Sequence, residues 1–130
     1  MKFAYTILYV ENVTKTLKFY EEAFGFSQKF LTPEKDYGEL VSGDTTISFA
    51  SYELGNSNLK KGFRKIADSN SPFGVELVFT SENIEVDFKR AISSGATEFV
   101  PVELKPWGQK VGYVLDNNGF LIEICTPIKM

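Results

Sequence analysis

The chain carries one pattern of hydrophobic and polar residues twice. Glu11-Asn12-Val13 recurs 71 positions later as Glu82-Asn83-Ile84, and in both places a strand-like run stops and a helix-like run begins. Further matches near this offset are Leu17 with Phe88, and Gly25 with the position next to Gly95. Because similarity at a fixed offset indicates a repeated structural unit, the chain is predicted to contain two β-α-β-β-β modules.

Local signals predict the elements of each module. Alternating apolar residues indicate strands, apolar residues at helical spacing indicate helices, and Asn, Gly and Pro mark their ends. Module one is predicted to have strands at 4–10, 26–31, 37–41 and 45–51 and a helix at 13–24. Module two is predicted to have strands at 75–80, 97–103, 109–115 and 120–125 and a helix at 84–94.

Between the modules lies a polar segment. It is predicted to be a solvated linker, or to carry a short helix near Leu59–Ile66. The 130 residues are enough for one domain with a hydrophobic core. We therefore expect a single domain with module one at about 1–52, a connector at 53–72 and module two at 73–130.

Composition narrows the function. The net charge is −3 with no basic stripe, so nucleic acid is not an expected partner. The chain has no His, which removes the commonest metal ligand and the commonest general base. A single Cys leaves no intrachain disulfide. No run looks like a signal peptide or is long enough to span a bilayer, so we expect a cytoplasmic protein without a membrane partner.

An acid in an apolar strand points to a site. Glu123 lies within Phe120–Cys125, where a carboxylate is costly to desolvate unless a cation, a donor or water meets it. Strand side chains alternate between two faces, and the more apolar face is expected to meet the helix. The other face is predicted to gather Tyr5, Ser48, Glu76 and Glu123 on a concave surface.

Five stretches carry a family resemblance: Tyr5–Val10, Phe19–Phe26, Ser94–Ala96, Pro106–Gln109 and Asp116–Glu123. Together they resemble the vicinal oxygen chelate superfamily, which includes glyoxalase I, bleomycin- and fosfomycin-resistance proteins and extradiol dioxygenases. The resemblance spans nearly the whole chain. It implies an α+β fold in which the two β-α-β-β-β modules form a curled mixed sheet around a cleft, and it implies a homodimer.

The resemblance also implies where a metal would bind. In metal-dependent members the ligands, usually two His with carboxylates, stand at the positions held here by Tyr5, Ser48, Glu76 and Glu123. Both His positions are replaced. Without nitrogen or thiolate ligands a tight transition-metal site is not expected, although Glu76 and Glu123 could hold a hard divalent ion weakly. We therefore expect no cofactor.

Each candidate residue has a structural alternative. Glu76 and Glu123 could share a proton and act as catalytic acid and base, or bind a cation; they could instead be solvated or paired with Lys or Arg. Trp107 could stack on a ligand, or it could fill the core or a dimer interface. The remaining ligand-binding candidates are Tyr5, Ser48, Gln109 and Tyr113, each of which could also be an ordinary packing residue.

Small-molecule binding is the leading functional prediction. A cleft lined by Tyr5, Glu76, Trp107, Tyr113 and Glu123 would bind a ligand or support a metal-independent reaction, and whether the protein is an enzyme stays open. The alternatives are a metal-dependent lyase or isomerase of glyoxalase type with an atypical ligand set, a drug-sequestering resistance protein, and an interaction protein without a ligand.

Overall fold

Two compact units make up the chain. A computed structural model describes residues 1–128. It divides into two units between Asp68 and Ser69, which lies inside the predicted connector at 53–72. Most of the connector belongs to the first unit. The single domain stays a prediction.

Module one folds in the predicted order. Its elements are β1 (Thr6–Val10), α1 (Val13–Phe24), β2 (Ser27–Leu31), β3 (Tyr37–Ser42), β4 (Thr45–Ser51), α2 (Tyr52–Asn58) and a 3₁₀ helix at Ile66–Asp68. The strands form an open sheet in the order β1-β4-β3-β2, in which β1 is parallel to β4 and the other pairs are antiparallel.

Module two has the same topology. Its elements are β5 (Glu76–Thr80), α3 (Ile84–Ser93), β6 (Thr97–Leu104), β7 (Lys110–Leu115) and β8 (Leu121–Cys125). The sheet order is β5-β8-β7-β6, again with one parallel pair, β5 with β8. The α+β class and both β-α-β-β-β modules are confirmed, with the strands divided between two four-stranded mixed sheets.

Capping fixes where the helices begin and end. Asn12 Oδ1 accepts a hydrogen bond from Lys15 N at 2.9 Å, and Gly25, with φ of 76°, donates to Glu21 O at 3.0 Å. α1 therefore has the predicted bounds. In α3 the capping differs: Ser81 Oγ accepts from Asn83 N at 3.1 Å and donates to Asp87.

The helix predicted at Leu59–Ile66 is wrong, because α2 begins directly after β4. Ser51 starts it, accepting a hydrogen bond at Oγ from Leu54 N at 3.1 Å. An N-cap Ser next to an apolar residue is a local signal for this start. Gly62, with φ of 78°, then interrupts the segment that was expected to be helical.

The connector is packed and not simply solvated. Phe63 stacks on Tyr9 of β1 with ring centroids 4.6 Å apart, and Ile66 is buried. At Gly55 an added Cβ would lie 2.9 Å from the Tyr9 ring and 2.8 Å from Phe63, so only glycine allows α2 to approach this closely. Residues 53–68 are therefore part of module one.

Each sheet presents an apolar face to its helix. On the α1 side, Phe49 and Leu17 are fully buried, and the Tyr20 ring lies 4.9 Å from the Phe49 ring. Strand register places Ser48 beside Ile7 on the opposite face. None of the helices within residues 1–128 has the length and hydropathy needed to cross a membrane.

Two equivalent glycines bring helix and sheet together. Gly38 lies opposite Phe49 in β3, and Gly112 lies opposite Ile124 in β7. A Cβ at Gly38 would lie 2.7 Å from Leu17 Cδ1, and a Cβ at Gly112 would lie 2.7 Å from Phe88 Cε2. Because both helix side chains are buried, neither has open space to move into.

Replacing either glycine by alanine is expected to destabilise the protein. Overpacking costs about 1–3 kcal/mol, which exceeds the roughly 0.5–1 kcal/mol that alanine gains over glycine inside a strand. Chemical denaturation of Gly38→Ala and Gly112→Ala should show the loss. Gly74→Ala is the matched control, since no atom lies within 4 Å of its added Cβ. Equal stability in all three variants would contradict the tight packing.

Candidate functional site

A carboxylate pair lies on the face of module two that points away from α3. We call Glu76, Tyr113, Glu123 and Cys125 the carboxylate face. Tyr113 is the direct cross-strand partner of Glu123, and its hydroxyl donates to Glu123 Oε1 at 3.2 Å. A side-chain hydrogen bond also joins Glu76 to Glu123. Two carboxyl groups can bond in this way only if one carries a proton.

The surroundings of Glu76 favour its protonated form. Burial, followed by the hydrogen bond to Glu123 and its negative charge, raises the pKa of Glu76. The pKa of Tyr113 is raised by burial and then by the charges of Glu123 and Glu76. The face can therefore hold a proton or accept hydrogen bonds, and it offers no cation of its own.

Cys125 completes the face without being reactive. Burial raises the pKa of its thiol, and contact with Glu123 raises it further, while Gln109 opposes the shift. The nucleophile is the thiolate, so a thiol held in its neutral form is a poor one. Cys125 is therefore a buried cysteine without the features of a nucleophile.

A groove lies at one end of the same module. We call it the Trp107 groove; its volume is about 660 Å³. Three segments line it: residues 81–85, which follow β5 and include the start of α3; Leu104 with residues 107–110 in the β6–β7 hairpin; and residues 126–128 after β8. Volumes of this size are typical of small-molecule sites.

The hairpin fixes the indole of Trp107. Gly108 N donates to Lys105 O at 2.9 Å and Lys105 N donates to Gln109 O at 2.7 Å, which closes the turn. Pro106 suits the second position of such a turn, and Gly108 supplies the φ of 97°. The sequence Lys105–Gln109 thus folds locally into the support of the groove.

Gln109 holds the Trp107 side chain. Trp107 Nε1 donates to Gln109 Oε1 at 2.7 Å, and Gln109 Nε2 donates to Thr126 O at 2.7 Å. The indole is nevertheless 66% exposed. Its polar atom is satisfied and its apolar surface is free to contact a ligand.

The charged side chains that line the groove are one lysine and two glutamates. Lys110 Nζ lies 2.8 Å from Glu85 Oε1, and this contact lowers the pKa of Glu85. Glu82 adds an exposed carboxylate. Leu104 and Ile128 are exposed apolar residues on the rim. The groove can therefore take a ligand that has both an apolar and a polar part.

The residues predicted to line one cleft do not all line the Trp107 groove. Trp107 and Gln109 line the groove, whereas Glu76, Tyr113 and Glu123 do not. Gln109 connects the two, because its side chain also reaches the Cys125 thiol. Tyr5 and Ser48 belong to module one, where they contact a different set of side chains.

That set includes Tyr37 and Glu39, which were not among the residues predicted for the site. The Tyr37 hydroxyl lies 2.7 Å from Glu39 Oε2 and 3.1 Å from Ser48 Oγ, and it also bonds to Tyr5. We call these four residues the hydroxyl cluster. Glu39 could have been predicted from strand register. The short turn at 42–44 places it opposite Ser48, just as Tyr113 lies opposite Glu123 in module two.

The donor chemistry does not suit a tight transition-metal site. Within residues 1–128 no three His, Cys, Asp or Glu side chains are grouped so that they could hold a metal ion. On the carboxylate face the pKa values of Glu76 and of the Cys125 thiol are both raised, first by burial and then by Glu123, which favours their protonated forms. Such ions prefer thiolate and nitrogen ligands, whereas this face offers a thiol that resists ionisation and no nitrogen ligand.

Comparison with known proteins places the chain in a family. A glyoxalase-like domain matches residues 3–129. A glyoxalase-related enzyme from Fulvimarina pelagi has a TM-score of 0.80 at 16% identity, covering 98% of this chain and 89% of that one. No curated protein sequence matches the chain significantly.

Two further structures share the fold. A glyoxalase/bleomycin resistance protein/dioxygenase family enzyme from Burkholderia phytofirmans PsJN has a TM-score of 0.80 at 19% identity, covering 94% of this chain and 95% of that one. The fosfomycin resistance protein FosX from Mesorhizobium loti has a TM-score of 0.68 at 12% identity, covering 97% and 92%. The chain therefore belongs to the glyoxalase-like domain family, and with it to the vicinal oxygen chelate superfamily.

Proposed function

We propose that this protein binds a small organic molecule in the Trp107 groove without a catalytic metal. The observation that carries the proposal is the exposed indole held in place by Gln109. An apolar surface that is ordered before binding gains contact with a ligand at little entropic cost. The names of relatives, which include bleomycin and fosfomycin resistance, are consistent with a ligand of drug size.

The groove favours a ligand with a flat apolar group. Such a group would stack on Trp107 between Leu104 and Ile128, and its polar part would meet Glu82 or Asn83. A drug-sequestering role and a metal-independent reaction both begin with this binding step. The homodimeric and cytoplasmic states expected from the sequence stay predictions.

Fluorescence tests the groove directly, because Trp107 is the only Trp. Titration with a panel of aromatic compounds should give a saturable change in emission. Trp107→Ala should weaken binding of the best compound about threefold to tenfold, measured by calorimetry, since it removes a stacking contact.

Two variants sharpen this test. Gln109→Ala keeps the indole but removes the hydrogen bond that fixes its orientation, so binding should weaken less than in Trp107→Ala. Phe99→Ala is the matched control, because Phe99 is an exposed aromatic on β6 that does not line the groove. Equal loss of affinity in Phe99→Ala, or no response to any compound, would contradict the proposal.

A second candidate function is proton transfer at the carboxylate face. The specific observation is the raised pKa of Glu76 beside Glu123. A raised pKa lets Glu76 keep a proton to higher pH and donate it, while a neighbouring carboxylate can accept one. In this function Glu76 and Glu123 are the catalytic residues, and Tyr113 orients Glu123.

The Glu76 shift predicts a pH-dependent stability. Its pKa is higher in the folded chain, so its contribution to stability is present below the ordinary pKa and is lost as pH rises through the raised one. Glu76→Gln removes the repulsion and should melt about 1–3 °C above wild type at neutral pH. The advantage should vanish in acid, below the pKa of an ordinary Glu.

Glu98→Gln is the control for this change, since Glu98 is exposed on β6 and the substitution alters net charge equally. Calorimetric melting across the pH range compares both variants with wild type. If Glu76→Gln and Glu98→Gln have the same pH profile, the two acids of the carboxylate face do not share a proton.

The metal-dependent alternative, a lyase or isomerase with an atypical ligand set, has a simple test. Protein purified without chelator should contain far less than one transition-metal ion per chain by elemental analysis. Added Mg²⁺ should bind weakly and compete with the proton held by Glu76 and Glu123. A stoichiometric transition metal would overturn the metal-independent proposal.

A further inference from the structure

The hydroxyl cluster is a second group of polar side chains that the proposed function does not use. Tyr5 directly precedes β1, Tyr37 and Glu39 lie on β3 and Ser48 lies on β4, and the strand register puts this polar group on the sheet face opposite α1. Ser48 is fully buried, whereas Tyr37 and Glu39 are half-buried and Tyr5 is exposed. The cluster therefore has a closed inner end and an open outer end.

The direction of each hydrogen bond follows from the chemistry of the groups. A carboxylate only accepts, so the Tyr37 hydroxyl donates its single hydrogen to Glu39 Oε2 at 2.7 Å. Having given that hydrogen, Tyr37 can only accept from Ser48 Oγ at 3.1 Å. The Tyr5 hydroxyl bonds to the same Tyr37 hydroxyl.

The hydroxyl hydrogens of Tyr37 and Ser48 are thus directed toward Glu39. Burial raises the pKa of Tyr37, which keeps its hydroxyl protonated at neutral pH and preserves this direction. The cluster can still accept hydrogen bonds, mainly at Glu39 Oε1, because Tyr37 bonds to Oε2. Within residues 1–128 no Lys or Arg forms an ion pair with Glu39.

From this we infer that the hydroxyl cluster binds the protonated amino group of an organic amine. Charged N–H donors would meet the negative charge and the unused lone pairs of Glu39, Ser48 and Tyr5. An anion would instead be repelled by the carboxylate of Glu39. The apolar part of the amine would contact Ile7, which is partly exposed beside Ser48, and the Tyr5 ring.

Binding of benzylamine tests the inference, with benzyl alcohol as the matched neutral probe. Amide signals of β1, β3 and β4 in ¹⁵N-labelled protein should shift saturably with benzylamine and not with benzyl alcohol. Glu39→Gln should weaken benzylamine binding about tenfold, as expected for the loss of a charged acceptor. Glu34→Gln, an exposed acid of the same module, should leave it unchanged.

Tyr37→Phe provides a second variant. It keeps the ring and the charge of Glu39 but removes the hydroxyl that orients Glu39 and Ser48, so binding should weaken less than in Glu39→Gln. Melting temperatures establish that each variant is folded. If Glu39→Gln does not fold, Tyr37→Phe alone decides, and unchanged affinity in that variant overturns the inference.

The outcomes separate this site from the Trp107 groove. Benzylamine binding at the cluster should persist in Trp107→Ala, whatever happens to ligands of the groove. Equal shifts with benzyl alcohol, or no saturable shift with either probe, would overturn the amine site. Shifts confined to the carboxylate face would also overturn it, because they would assign amine binding to module two.

Discussion

Close packing of each helix on its sheet is the constraint on which the other features of both modules depend. Gly38 and Gly112 have no side chain at the points where Leu17 and Phe88 meet the strands. The helices can therefore pack closely on the apolar faces, and core residues such as Leu17, Phe49 and Ile122 are fully buried. With the core formed on one side, the opposite face of each sheet is free to carry polar groups.

On the face opposite its helix, each module has a tyrosine that is hydrogen-bonded to a glutamate, but the two residues are arranged differently. In module one, Glu39 of β3 accepts a hydrogen bond from the hydroxyl of Tyr37, two residues earlier on the same strand. In module two a tyrosine of β7, Tyr113, donates across the sheet to an acid of β8, Glu123. The chain has no His, and within residues 1–128 no Lys or Arg forms an ion pair with Glu39, Glu76 or Glu123. These three acids are therefore open to a proton or to N–H donors.

Much of the fold could be predicted because its signals are local. The cap residues Asn12 and Gly25 fix α1, and the alternation of apolar residues fixes the strands. The connector could not be predicted in the same way, because α2 is held by the contact of Gly55 with Tyr9 and Phe63. That contact joins residues far apart in the chain, so no window of neighbouring residues contains it.

The sequence by itself determined the two modules, the apolar face of each strand and, through the absence of His, the kinds of ligand available. It also singled out Glu76, Glu123 and Trp107. Only the tertiary structure decided which side chains meet, namely that Trp107 bonds to Gln109 in a groove of its own and that Glu76 bonds to Glu123. The physical reason is that periodicity assigns a side chain to a face, whereas a contact depends on strand register and on the paths of the turns.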